Sequence, residues 1–233
     1  VSPDVPGAAA PATPPPPLAW GPVWAGWIGR AIAQGLWATR VVGREHVPTS
    51  GPVVLAANHT GLADAPLFVG LSPRPLHILT KREMFAGPMG PVLRAAGQIP
   101  VDRRNGRPAL ATALGVLRRG GAVGVFPEGT RGRGAVESAR AGVAWLAVHG
   151  EAPVVPVAML GTRRTGEGPN RLPGPRRRLH LEFGPPVDGR RRPGETSRDA
   201  VGRVALEVRE RLATLVVEAG ERTGLGLPED ERA

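Results

Sequence analysis

The sequence predicts one α/β domain, a mixed and mostly parallel sheet flanked by helices. Three observations carry this. Short apolar runs at 53–57, 121–126 and 154–159 read as buried strands. They alternate with segments of helical period at 108–119, 138–149 and 196–217, the pattern of an α/β fold. The chain has 233 residues, enough for one domain with a substantial core, and no internal repeat divides it.

Residues 1–17 hold runs of Ala and Pro and are expected to be a disordered tail, because such a segment cannot bury a core. Residues 18–39 contain four of the five tryptophans. Trp20, Trp24 and Trp27 are spaced by four and three, so a helix would put them on one face, with Ile28, Ile32 and Leu36 in an adjoining strip. Tryptophan favours a membrane interface, where its ring is apolar and its N–H is wet. This segment therefore reads as an amphipathic, membrane-associating helix, with a helix packed on the domain as the alternative. Gly21, Pro22, Gly26, Gly29 and Gly35 weaken any regular helix here.

The main domain is expected at 40–219. Strands are expected at 41–47 and 53–57, joined by a turn at 48–51. A polar loop at 58–66 leads into a short helix near 67–71. A strand at 76–80 follows, then a broken helix at 82–96, interrupted by Gly87-Pro88 and Gly90-Pro91, and a short strand at 98–102. Pro108 fits the first turn of the helix at 108–119, which Gly120-Gly121 ends. The strand at 121–126 is stopped by Pro127, and Gly129 permits a sharp turn that presents Glu128, Thr130 and Arg131 at the strand's end. In the helix at 138–149, Val143, Leu146 and Ala147 point inward. Pro156 marks the strand at 154–159 as an edge or a bulge. A Gly/Pro/Arg-rich stretch at 161–193 holds one strand, at 179–183. Thr196 with Asp199 resembles a capping box opening the helix at 196–217, and 220–233 reads as a flexible polar tail.

Net charge is +10 and the pI about 11.6, which call for an anionic partner: nucleic acid, a membrane surface or a phosphorylated substrate. Lys81 is the only lysine, so the cations are nearly all arginine. Cysteine is absent, which excludes disulfides and Cys–zinc sites. No secretory signal is visible in the first residues, and no run of about 18 apolar residues predicts a conventional spanning helix.

His59 and Asp64 are the candidates for acid–base chemistry. Histidine titrates near working pH, and a carboxylate on its second ring nitrogen fixes the tautomer and stabilises the imidazolium. Their spacing allows the pairing if the chain turns sharply, which Gly61 permits, although composition alone supplies such a pair in roughly one chain in eight. His46, His77, His149 and His180 lack an Asp at that spacing and read as structural or surface residues. No Gly-x-Ser-x-Gly elbow, Walker loop, dinucleotide fingerprint or metal-binding His cluster occurs. A base without a protein nucleophile points to direct attack by a substrate hydroxyl. Arg103 and Arg131 each follow an expected strand and could hold phosphate through paired N–H···O bonds. Glu128 could accept a hydroxyl hydrogen bond or orient Arg131.

Four stretches taken together resemble a known family. Asn58-His59-Thr60-Gly61-Leu62-Ala63-Asp64, Gly97-Gln98-Ile99-Pro100-Val101-Asp102-Arg103, Phe126-Pro127-Glu128-Gly129-Thr130-Arg131 and Val154-Val155-Pro156-Val157 look like the successive motifs of the 1-acylglycerol-3-phosphate acyltransferase (PlsC-like) family. They stand in the family's order, across roughly 40–215. The resemblance implies a glycerol-3-phosphate acyltransferase-like fold and acyl transfer from a thioester, acyl-CoA or acyl carrier protein, to the sn-2 hydroxyl of lysophosphatidate. His59 would be the base and Asp64 its orienting partner. Arg103, Glu128, Gly129, Thr130 and Arg131 would bind the glycerol phosphate end, and Pro156 would help shape the acyl-donor site. No cofactor or metal is implied beyond the acyl thioester as co-substrate. The implied location is the cytoplasmic face of the cell membrane, peripheral or monotopic. Two departures stand out: Pro100 occupies a position often bulky and apolar, and Ala139-Arg140-Ala141-Gly142 replaces the family's common Phe-Lys-x-Gly. Related enzymes acylate other lysolipids or lipid hydroxyls with the same motifs.

Two other classes account for less of the sequence. A nucleic-acid-binding protein would use the Arg-rich 161–192 segment, but the chain has no tyrosine, four phenylalanines and tryptophans far from those arginines, so nucleic acid is not the expected partner. A non-catalytic lipid-binding relative is disfavoured because both His59 and Asp64 are present.

Overall fold

The computed structural model of the protein describes residues 17–102, 104–127 and 136–229. The expected disordered tail lies outside these residues except for Pro17, and so do Arg103, Glu128, Gly129, Thr130 and Arg131. The strands are β1 (Ala38–Val42), β2 (Val53–Ala57), β3 (Leu76–Lys81), β4 (Ile99–Val101), β5 (Ala122–Val125), β6 (Val154–Leu160) and β7 (Arg178–Phe183). The helices are α1 (Gly21–Leu36), α2 (Asp64–Leu71), α3 (Gly90–Ala95), α4 (Arg107–Arg118), α5 (Val136–His149) and α6 (Ser197–Thr223). The strands form one sheet in the order β1-β7-β6-β2-β5-β3-β4. Among the described residues every ladder is parallel except β6 with β7. The expected mixed, mostly parallel sheet is therefore present, flanked by helices on both faces.

Strand alternation sorts the core into two layers. Val53, Leu55 and Ala57 of β2 meet α1 and α2, while Val54 and Ala56 meet α4, α5 and α6. Every residue of β2 is buried, as a central parallel strand requires, so its sequence is apolar throughout rather than alternating.

Three local expectations are corrected. The run 41–47 is not one strand. β1 starts earlier, at Ala38, and ends at Val42, because Gly43 adopts a φ of 74° and turns the chain into a 3-10 turn at Arg44–His46. A side chain at Gly43 would also sit 2.0 Å from the Phe183 carbonyl oxygen. Second, Pro156 does not put β6 at an edge. β6 lies between β2 and β7. The Pro156 carbonyl accepts from Gly184 N–H at 2.8 Å, one residue beyond the end of β7. The nitrogen of a strand residue points to the same side as its own carbonyl, so the missing N–H falls where that ladder finishes and costs little. Third, the last helix runs six residues past 217, so residues 220–223 are its last turn rather than the start of a tail. Leu212, Leu215, Val216 and Ala219 keep the apolar period and pack on Ala158 and Leu160 of β6, with Leu225 beside them. The expected cap is present: Thr196 Oγ1 accepts from the Asp199 N–H at 3.2 Å and donates to Asp199 Oδ2 at 2.6 Å.

Of the glycines of α1, read as helix breakers, Gly21, Gly26 and Gly29 turn out to be contact positions, whereas Gly35 meets nothing. Pro22, Gly26, Gly29 and Ala33 are spaced four, three and four, so they form one strip of small residues. That strip meets α2 at backbone distance: a Cβ at Gly29 would lie 2.8 Å from the Gly70 Cα. The rest of α1 leaves Val23, Trp27, Ile28, Ile32 and Leu36 exposed, as is Trp20 just before it. The helix thus packs on the domain through one side and presents an apolar face on the other. Trp24 is half-buried and donates to the Ala95 carbonyl at 3.3 Å, whereas Trp37 lies beyond the helix and is buried. No helix among the described residues is long and apolar enough to cross a membrane.

The other histidines are structural or lie at the surface. His46 Nδ1 bonds the Phe183 carbonyl at 2.7 Å, and His149 stacks on Trp145 at 4.4 Å. His180 Nε2 lies 2.8 Å from Glu182 Oε2. His77 is buried, with Nδ1 2.7 Å from the Gly97 carbonyl and Nε2 3.0 Å from an Arg119 guanidinium nitrogen. Burial pushes the His77 pKa down, and the geometry agrees: one ring nitrogen donates to a carbonyl and the other accepts from a cation, so the ring is neutral.

Candidate active site

The site is assembled at the carboxyl end of β2. The next residue, Asn58, is buried and clips onto β6: its Nδ2 donates to the Met159 carbonyl at 3.0 Å and its Oδ1 accepts from Met159 N–H at 2.7 Å. The side chain thereby continues the β2–β6 ladder past its last backbone pair, Ala57 with Val157. This fixes the point from which His59 projects. The chain then turns back so that Asp64, at the first position of α2, faces it.

Asp64 is fully buried, and its Oδ2 collects three donors: His59 Nδ1 at 2.7 Å, Thr60 N–H at 2.6 Å and Gly61 N–H at 2.8 Å. A carboxylate in that setting, at a helix N-terminus, is held as an acceptor. His59 Nδ1 must then carry the proton, and Nε2 keeps its lone pair for chemistry. The imidazole is 15% exposed, enough to meet a substrate while its plane is fixed. Phe126, immediately after β5, fixes it: the rings stack at 4.3 Å with 22° between planes, and Phe68 of α2 backs Phe126 at 5.6 Å.

The loop after β6 closes one flank. Thr60 and Thr162 hydroxyls are 3.0 Å apart. A Cβ on Gly61 would lie 3.3 Å from the Thr162 carbonyl oxygen. Gly61 is not among the glycines of positive φ, so its role is this close approach rather than an unusual turn.

His59 and Asp64 are thus brought together. Pro156 is not brought to them: it is buried in the sheet opposite Ala56, three residues before His59 along the neighbouring strand. Arg103, Glu128, Gly129, Thr130 and Arg131 lie outside the described residues, though Asp102 and Pro127 before them mark the ends of β4 and β5 on the same edge of the sheet. Lys81 ends β3 between those two strands and adds a cation to that edge. Sequence reasoning gave no role to Asn58, Phe126, Thr162 or Lys81. Asn58 and Phe126 stood inside quoted motifs, which was the available signal. Thr162 carried none, because its contact crosses a hundred residues of chain.

Two cavities adjoin this edge. One, about 300 Å³, is lined by Asn58, Pro127, Val143, Val208, Leu212 and Val216, and runs from the strand ends onto the apolar side of α6. The other, about 500 Å³, lies between β4 and α4 and includes Arg82, Pro100, Asp102 and Asn105. Neither is lined by His59 itself.

Replacing Asn58 with alanine is expected to lower kcat about 10–100-fold through displacement of His59, with a smaller effect on KM. Steady-state kinetics beside a thermal melt checks this; unchanged kcat would remove Asn58 from the positioning of His59.

A histidine paired with a buried carboxylate at the edge of an α/β sheet has the geometry that general-base chemistry requires. The chain belongs to the Acyltransferase family, whose sequence model matches residues 38–160. It is 36% identical over 125 residues to the 1-acyl-sn-glycerol-3-phosphate acyltransferase of Bacillus subtilis, covering 52% of this chain and 62% of the relative. With the enzyme of the same name from Borreliella burgdorferi it shares 38% over 98 residues, 40% of this chain and 39% of the relative. The chain therefore spans less than two thirds of the length of these relatives. Among solved structures, the 1-acyl-sn-glycerophosphate acyltransferase PlsC from Thermotoga maritima superposes with a TM-score of 0.64 at 24% identity, covering 83% of this chain and 79% of that one. That likeness shows the fold.

Proposed function

We propose that the protein moves a fatty acyl group from an acyl thioester, acyl-CoA or acyl carrier protein, to the sn-2 hydroxyl of 1-acylglycerol-3-phosphate, giving phosphatidate. The observation that carries this reading is the 2.7 Å contact between His59 Nδ1 and the buried Asp64 Oδ2, which leaves Nε2 as the base. The acceptor hydroxyl donates to Nε2. As its oxygen attacks the thioester carbonyl, Nε2 takes the proton and Asp64 stabilises the imidazolium. The tetrahedral intermediate then expels the thiolate, which recovers the proton from Nε2. No cofactor is invoked.

In this reading Arg103, Glu128, Gly129, Thr130 and Arg131 hold the glycerol phosphate end, and Lys81 lies on the same edge. The apolar cavity along α6 suits an acyl chain, and Pro156 shapes the sheet below it. The exposed apolar face of α1 rests on the lipid surface at the cytoplasmic side of the membrane. The names of the relatives support the acceptor class.

The test is transfer from a labelled acyl thioester to a panel of lysolipids and glycerol phosphates, with products separated by mass. Phosphatidate formed from lysophosphatidate with the highest kcat/KM of the panel is expected. Faster transfer to a lysolipid lacking the phosphate monoester would replace this acceptor with another of the same chemistry.

A further inference from the structure

The loop at 161–177 joins two features that the proposed reaction leaves separate. At its start, Thr162 is buried against Thr60 of the catalytic turn. At its end it is bonded to the C-terminal end of α1: Arg176 N–H donates to the Leu36 carbonyl at 2.6 Å, and Trp37 Nε1–H donates to the Pro173 carbonyl at 3.0 Å. The loop's shape is fixed from within. Arg177 forms a two-pronged ion pair with Glu167, and Arg163 Nε donates to the Glu167 carbonyl at 2.6 Å. Arg177 holds the Glu167 carboxyl down to about 2, so the pair stays ionised.

The loop's outer side combines charge with one apolar tip. Leu172 is 57% exposed, and Arg171 and Arg176 are exposed near it. The segment holds five arginines against the single, paired Glu167. Beyond the Leu36 contact, the exposed strip of α1 continues through Ile32 and Ile28 to Trp27, which is 72% exposed, and α1 contains no acidic residue. Basic charge beside an apolar strip matches an anionic bilayer, which offers phosphates over a hydrocarbon layer. A nucleic acid offers the phosphates without the layer.

We infer that the 161–177 loop is a second lipid-contact element, which sets Leu172, Arg171 and Arg176 on an anionic bilayer in line with the exposed face of α1. This rests on the proposed lysolipid chemistry for its purpose, and on the loop's geometry for its form. β6 ends beside the end of β2, and the loop leaves from there, so the edge carrying His59 is tied to the surface from which a lysolipid would enter.

The test is sedimentation of the full chain with vesicles of phosphatidylcholine alone and of phosphatidylcholine mixed with phosphatidylglycerol. Arg171→Gln with Arg176→Gln is expected to lower partitioning onto the mixed vesicles about 30-fold, roughly fivefold per arginine, while Lys at both positions restores it. Leu172→Ser is expected to weaken binding to both vesicle types. Turnover of a short-chain, water-soluble acceptor is expected to be unchanged in these variants. Loop variants that bind like the native chain, while Trp27→Ala loses binding, would overturn the inference and leave α1 as the sole contact. Self-association that Leu172→Ser dissolves, without vesicle binding, would overturn it in favour of a second copy on this face. Loop-dependent vesicle binding without acyl transfer would uphold the surface and defeat the proposed reaction. Acyl transfer without vesicle binding would do the reverse.

Discussion

His59→Ala is expected to lower kcat for acyl transfer about 10²–10⁴-fold, the usual worth of a positioned general base. The fold should survive. His59 is partly exposed, and its side chain contributes one hydrogen bond and one ring stack. After its removal Asp64 Oδ2 still receives the Thr60 and Gly61 N–H groups, so the buried carboxylate is not stripped of donors. The expected loss of stability is therefore about 1.5–3 kcal/mol, the size of one hydrogen bond to a charged group. Kinetics on the native and variant proteins, with circular dichroism to confirm the fold, decides the matter. A variant that keeps full kcat would reduce His59 to a structural residue, whatever its geometry.

Gly70→Val is the second large effect, and it tests packing rather than chemistry. A Cβ at Gly70 would sit 2.3 Å from the Gly29 carbonyl carbon and 2.6 Å from the Arg30 nitrogen. These are backbone atoms of α1 and cannot rotate aside, so the helices must separate. Overpacking of this kind costs about 3 kcal/mol. For a domain of this size that lowers Tm by about 6–12 °C. Because four of the five tryptophans lie between Trp20 and Trp37, tryptophan fluorescence should report the displacement of α1 directly. Gly35 is the internal control: a Cβ there meets nothing within 4 Å, and Gly35→Ala should raise stability by about 0.5–1 kcal/mol. A Gly70→Val protein melting with the native one would show that α1 does not hold its place through this contact.

The contrast between these variants shows what a sequence can disclose. The His59–Asp64 pair was legible because the partners are five residues apart, within one turn. Local spacing limits such a pair to few geometries. The sheet was legible for a similar reason: the apolar runs at 53–57, 121–126 and 154–159 each lie on a single strand, to within a residue at either end. The strip Pro22, Gly26, Gly29 and Ala33 was also present in the sequence with a helical period. It was misread because glycine counts against an isolated helix, and only the approach of Gly70 turns that cost into close packing. Pro156 was misread in the same way. A proline inside a ladder is costly in general, but here it stands where β7 has ended.

The sequence by itself determined the α/β class, the order of its elements and the local pairing of base and carboxylate, since hydrophobic period and tight-turn geometry act over a few residues. Tertiary structure decided the rest. Asn58 bonds Met159 across 101 residues, the His59 ring is stacked by Phe126 from the end of β5, and the 161–177 loop is bonded to the end of α1. Contacts of that range depend on which strands become neighbours in the sheet. That choice follows from burying the whole chain at once, and no window of sequence contains it.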